Sequence, residues 1–223
     1  MLVVVGGHTR NIGKTSVVAG LIAATPELHW TALKITQYGH DVCSTDGEPC
    51  ECSVADPDHP FAISEETDRS SGTDTSRFLA AGAQRSYWVR TASGQLGHAI
   101  SAVRRIIDTG EHVIAESNSL LQFCKPDLHL CVVEFGSHDF KATSLQYLDR
   151  ADALVVVDRG VPEPEWKGVA RRLWESKPRF LVRPPQWVTE AMAALVRARL
   201  NSSTTSSRTG ELQGINALPV DGM

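Results

Sequence analysis

What this chain lacks narrows it before any motif is read. No run of about 18 apolar residues occurs in its 223 residues, so no membrane-spanning helix is expected. Positive charge is not in excess: 22 Lys and Arg stand against 26 Asp and Glu, a net charge of −4. Nucleic-acid affinity resting on phosphate neutralisation is therefore not expected. The first residues run straight into an apolar strand, without the basic stretch, apolar core and small-residue cleavage site of a leader, and a cytoplasmic location is the expectation. Cysteine is sparse and odd in number, at positions 43, 50, 52, 124 and 131. In a reducing compartment, with no paired C-x-x-C, a disulfide framework is not expected. There is no internal repeat, and no N-K-x-D motif follows any strand-like segment, so guanine specificity is unsupported.

What is present is an ordinary globular balance, 42% hydrophobic and 22% charged, enough for one α/β domain with a substantial core. That domain is expected over residues 1–200. Residues 201–223 open with NSSTTSSRTG, rich in Ser and Thr and poor in apolar side chains, the composition of a disordered tail.

The chain is organised around Leu2–Val18, LVVVGGHTRNIGKTSVV. An apolar run, Leu2 to Val5, breaks into two glycines, a polar loop and Gly13-Lys14-Thr15-Ser16, and an apolar-periodic segment follows through Ala24. Strand, glycine-bearing loop and helix in that order form a phosphate cradle, the P-loop. Backbone N–H groups from Gly7 through Asn11, Ile12 and Gly13 to Ser16 are expected to wrap the phosphates of ATP or GTP. Lys14 reaches the outer phosphates, and the Thr15 hydroxyl meets Mg²⁺. The pattern G-x-x-x-x-G-K-[ST] is met except at its first glycine, where His8 stands and Gly7 lies one residue further out. Gly6 and Gly7 are expected to supply the positive φ of the turn.

Further strands are read at His29–Ile35, Ser86–Arg90, Glu111–Glu116, Leu128–Phe135, Arg150–Asp158 and Arg179–Val182. A further helix is read through Arg77 to Ala83, with Thr73 or Asp74 as its cap, and others over Leu96–Ile107, Trp166–Trp174 and Val188–Leu200. Together they predict a three-layer α/β fold with a mostly parallel sheet of about seven strands. Right-handed crossovers bring the strand ends to one carboxyl edge, where Lys34 and Glu116 approach the loop. Glu116, ending EHVIAE, is the expected acidic partner of Thr15 on Mg²⁺, and with Lys14 the expected catalytic pair. Asn118 is read as a ligand contact or a helix cap, and Asp139 and Lys141 stand out by position alone.

These residues resemble the P-loop class that contains dethiobiotin synthetase and the molybdopterin-guanine dinucleotide biosynthesis protein B (MobB) family. Dethiobiotin synthetase shares the glycine spacing. Lys34 followed by His40-Asp41, and Asp74-Thr75-Ser76-Arg77 leading into Ala81-Gly82-Ala83, are similar to MobB segments. The resemblance covers roughly the first half of the chain. It implies a nucleotide-hydrolysing accessory of molybdenum-cofactor biosynthesis that binds a partner enzyme and forms a homodimer, with Lys34 and Arg77 at the nucleotide or substrate. The alternatives are an ATP-dependent small-molecule ligase or kinase of the dethiobiotin synthetase type, and a metal or sulfur carrier gated by nucleotide.

Residues 37–73 read as a long polar loop, and loops of this length inside compact domains are usually functional or disordered. The segment carries His40, Cys43, Cys50 and Cys52 in the spacing H-x2-C-x6-C-x-C. Three thiolates and an imidazole can close a tetrahedral Zn²⁺ site, an iron–sulfur cluster is the second metal reading, and an unliganded loop is the third. Protein purified without added zinc or iron is expected to carry stoichiometric metal; a folded, metal-free chain in elemental analysis rejects the site.

Overall fold

The computed structural model describes residues 1–38 and 60–199. The cluster of His40, Cys43, Cys50 and Cys52 and the segment 201–223 lie outside the described residues.

Leu2 to Gly7 forms strand β1, and Val3 and Val5 face one core while Leu2 and Val4 face another. An unbroken apolar run whose alternate side chains enter two cores is what a central parallel strand requires. The other strands are β2 (Thr31–Tyr38), β3 (Phe61–Glu65), β4 (Arg85–Ala92), β5 (Val113–Glu116), β6 (Leu128–Val133), β7 (Ala153–Val157) and β8 (Arg179–Val182). They form one sheet in the order β3-β4-β2-β5-β1-β6-β7-β8, parallel throughout except for the antiparallel β3–β4 pair.

Helices α1 (Lys14–Ala24) and α2 (Asp74–Ala80), with α5 over residues 190–199, cover one face. Their Val17, Leu21, Phe78, Met192 and Val196 meet Val3, Val5 and Leu130. Helix α3 (Leu96–Thr109) covers the other face with Leu96, Ala99 and Val103, and a short α4 (Ala142–Tyr147) adds Tyr147. The expected three layers are present, and the sheet has eight strands where about seven were expected.

The eighth, β3, lies inside the segment read as a loop. Phe61 and Ile63 alternate with Ala62 and Ser64, and both pack against the α3 core. Five residues beside an acidic stretch carry too weak a period to stand out, and pairing with β4 supplies what propensity does not. The second difference is at Trp166–Trp174, expected to be helical, where only Arg171–Leu173 forms a single 3-10 turn. Here tertiary packing outweighs helix propensity. Trp166 donates its indole N–H to the Glu134 carbonyl at 2.9 Å, and its ring meets Phe135, Phe140 and Trp174 edge-on.

The strands β5 and β6 flank β1, so the chain winds outward in both directions from β1. Ligands of open α/β sheets bind outside the carboxyl end at such a reversal. Two buried histidines stand near it. His8 extends the β1–β6 ladder by donating its amide to the Val132 carbonyl at 3.0 Å, and His129 lies on β6. Burial pushes both imidazoles down to about 4. Because these values lie below the ordinary 6.5, the unfolded chain binds more protons as the medium acidifies. Their contribution to stability is fully present above about pH 6.5 and is lost as pH falls towards about 4, on the order of 3 kcal/mol per histidine. The thermal midpoint is expected to fall between about pH 7 and pH 4.5, more steeply in the wild type than in His8→Phe; equal slopes contradict the assignment.

Candidate functional site

The turn from β1 into α1 carries the site. Asn11 (φ 53°) and Gly13 (φ 96°) take the left-handed conformation. Gly6 and Gly7, expected to supply the positive φ, instead belong to β1. Asparagine tolerates this region and glycine has no Cβ to oppose it. Gly13 is the N-cap of α1, and it has no side chain to offer the first-turn amides. That end of the helix therefore presents N–H groups and the positive end of the dipole to an anion.

Gly7 contributes room rather than an amide. A Cβ there would press on the Lys14 stem and on Ile12. Its amide donates to Asn118 Oδ1 at 2.9 Å, and its carbonyl accepts from Asn118 Nδ2 at 2.9 Å. This double clasp ties the end of β1 to the segment after β5, which answers the open reading of Asn118. Ile12 turns inward and is buried with the α1 core, while Asn11 is exposed. On the outer side a Cβ at Gly13 would run into the Trp187 ring, so Trp187 lies directly against the loop.

Thr15 and Glu116 meet across 101 residues of sequence: the Thr15 hydroxyl donates to Glu116 Oε2 at 2.7 Å. Glu116 is buried, and its other oxygen, Oε1, receives Lys34 Nζ at 2.6 Å. The same ammonium reaches Asp74 Oδ2 at 2.6 Å. Burial pulls the Lys34 ammonium towards deprotonation, but Glu116 and Asp74 outweigh it and hold its pKa above the usual lysine value. Lys14 is shifted the other way, downward, because burial dominates over the nearby Glu116 carboxylate. Its Nζ points at the Thr9 carbonyl, 3.4 Å away.

Asp74 is the residue that sequence reasoning did not select. It opens α2, and Thr73, one of the two expected caps, accepts from the Ser76 amide at 3.1 Å. Glu66 braces this start by accepting from the Thr73 hydroxyl at 2.9 Å and the Thr75 hydroxyl at 3.2 Å. A capping position signalled Asp74 as a helix start, and nothing local signalled its contact with Lys34. Arg77, one turn on, donates to Ser16 Oγ at 3.0 Å and stands 3.8 Å from Asp74. It bridges α2 to α1 on the flank of the loop.

Thr15 and Glu116 offer hard oxygen donors, a hydroxyl and a carboxylate, in the combination that suits Mg²⁺ completed by phosphate oxygens and water. Among the described residues no group of three or more His, Cys, Asp or Glu side chains is placed to hold a metal ion, and no helix is long and apolar enough to cross a membrane.

No family model and no curated protein matches the chain. Among solved structures it is similar to LpxK from Aquifex aeolicus in complex with ATP, at 17% identity and a TM-score of 0.46, over 81% of this chain and 53% of that one. It is also similar to HypB from Helicobacter pylori in complex with nickel, at 11% identity and a TM-score of 0.43, over 97% of this chain and 91% of that one. The chain spans about half the length of LpxK. At this level of similarity the site is read from its own geometry.

Replacing Gly13 tests the loop itself. Gly13→Ala combines a left-handed φ with a clash against Trp187 and is expected to cost about 2–4 kcal/mol in denaturant unfolding. Gly13→Ala with Trp187→Ala should recover part of that loss; no recovery means that the ring does not bear on the loop.

Proposed function

We propose that this chain is a Mg²⁺-dependent P-loop nucleotide-binding protein that hydrolyses or transfers the terminal phosphate of ATP or GTP. The observation that carries the reading is the Thr15–Glu116 hydrogen bond of 2.7 Å at the foot of a helix whose N-cap, Gly13, has no side chain to occupy the first-turn amides. An uncapped helix start beside a lysine suits phosphate, and a hydroxyl–carboxylate pair beside it suits the metal that accompanies phosphate.

The roles follow from chemistry. Loop amides from Asn11 to Ser16 cradle the phosphates, and Lys14 neutralises charge that builds on the transferring group. Mg²⁺ would supply charge neutralisation and polarisation to the phosphates. Glu116 and Thr15 would hold it, while Lys34 balances Glu116 and Asp74 and keeps the paired carboxylates from repelling each other. Asp74 shares the Lys34 ammonium with Glu116 and would stand beside a water or acceptor hydroxyl brought to it.

A finer reading is an accessory of the MobB kind, homodimeric and acting with a partner enzyme. Its support is the meeting of Lys34 and the Asp74–Arg77 segment beside the loop. The dethiobiotin synthetase type of ligase or kinase is the second reading, in which Lys34, beside the loop, would contact the small substrate. Slow nucleotide hydrolysis by the chain alone favours the accessory, and turnover only with a small acceptor favours the ligase.

Titration with ATP and GTP, with and without Mg²⁺, tests the common core. Wild type should bind at least one nucleotide more tightly with Mg²⁺, and Lys14→Ala should weaken that binding by roughly tenfold or more. Unchanged affinity in Lys14→Ala for every nucleotide rejects the assignment.

A further inference from the structure

The segment that follows β6 is fastened to the phosphate loop at four points. The Glu134 amide donates to His8 Nδ1 at 3.3 Å, which leaves the proton of this neutral ring on Nε2. The His8 ring lies 4.7 Å from the Phe140 ring, centroid to centroid, and 6.0 Å from the nearer ring of Trp166. The Lys141 amide donates to the His8 carbonyl at 2.7 Å, and the Thr9 hydroxyl donates to Asp139 Oδ2 at 2.7 Å. Residues 139–141 are thereby held against His8 and Thr9, at the opposite end of the loop from Gly13.

This attachment fixes where Lys141 begins. β6 borders β1 on the side away from β5, so Lys141 arrives from the flank opposite Glu116. Its side chain is half-buried, and among the described residues its ammonium has no hydrogen bond and no ion pair. Burial and then the charges of Lys14 and Arg10 pull it down to about 8, with Lys34 adding to them and Glu116 opposing. A cation set part-buried among cations is unfavourable unless an anion is shared between them. Helix α1 begins at Lys14, and His8 and Thr9 stand at the other end of the loop, where β1 ends at Gly7; a triphosphate whose inner phosphates met the α1 amides would extend its outermost phosphate towards them.

We propose that Lys141 is a second phosphate-binding ammonium of this site, holding the outermost phosphate of a nucleoside triphosphate from the flank opposite Thr15 and Glu116. The inference rests on the proposed nucleotide site and adds a residue that sets preference for triphosphate over diphosphate. The Thr9–Asp139 and His8–Lys141 contacts keep the stem of Lys141 in register with the loop.

Calorimetric titration of the full chain with ATP, GTP, their diphosphates and inorganic tripolyphosphate, all with Mg²⁺, tests it in wild type, Lys141→Gln, Lys141→Arg and Lys14→Ala. Lys141→Gln should lose roughly tenfold in triphosphate and tripolyphosphate affinity, as expected for a charge-assisted contact. Its diphosphate affinity should change by less than about threefold, and Lys141→Arg should restore most of the triphosphate loss. Triphosphate binding by Lys141→Gln within about twofold of wild type, or equal losses for di- and triphosphates, overturns the inference while Lys14→Ala still reports on the site. Failure of wild type to bind any of these probes overturns the nucleotide reading and this inference together. Acetylation of wild-type lysines near pH 8 needs no variant: protection of Lys141 by triphosphate but not diphosphate supports the assignment, and equal labelling overturns it.

Discussion

One ammonium between two carboxylates holds the carboxyl edge of the sheet together. Lys34 projects from β2, Glu116 ends β5 and Asp74 opens α2, and the Thr15 hydroxyl brings α1 to the same point. Four elements distant in sequence therefore share one electrostatic centre. Glu116 is almost wholly buried, so its charge is tolerable only with Lys34 beside it. Removing one partner of such a pair typically costs about 3–5 kcal/mol, because the other is left uncompensated. The pair is better understood as fixing where these elements meet than as a net source of stability, since burying both charges consumes most of what their attraction returns.

Around that centre, main-chain geometry and aromatic packing divide the work. Asn118 clasps both polar groups of Gly7, fixing the end of β1 against the segment after β5. Trp187 lies against Gly13 on the outer side, and His8, Phe140 and Trp166 fill the space under the start of the loop. A glycine-bearing loop with two left-handed residues would otherwise carry a large conformational entropy. Packing on both sides holds it in one shape, and the N-cap Gly13 makes no side-chain bond to the first-turn amides of α1.

The parts of this arrangement written in local pattern were legible in the sequence. The apolar run of β1, the Gly13-Lys14-Thr15 step and the strand-end Glu116 are short-range signals, and the structure places Thr15 and Lys34 on Glu116. Three features were illegible because non-local contacts decide them. β3 forms through pairing with β4, the Trp166 segment forgoes a helix to seat one indole, and Asp74 acquires its partner only when α2 is laid beside β2. Gly6 and Gly7 show the converse: glycine signalled a turn, yet the residues stay extended in the ladder with β6, and Asn118 and the Lys14 stem use the space of a missing Cβ. A sequence records that a side chain is absent, not which neighbour uses the vacancy.

The charge distribution separates the ligands that suit this edge from those that do not. The chain as a whole carries a net charge of −4, yet Lys14, Lys34 and Lys141 gather about the loop with Glu116 and Asp74 set among them. An extended nucleic-acid backbone brings repeated phosphates whose small counterions are released on binding, and it favours surfaces of unbroken positive charge. A chelate of a divalent metal and a polyphosphate carries both signs within a few ångströms. Carboxylates on the β5 side can face its metal while ammonium groups on the loop and β6 side face its phosphates, so mixed charge becomes complementarity instead of cancellation. That pairing of signs, more than any single residue, favours a compact metal–phosphate ligand at this edge.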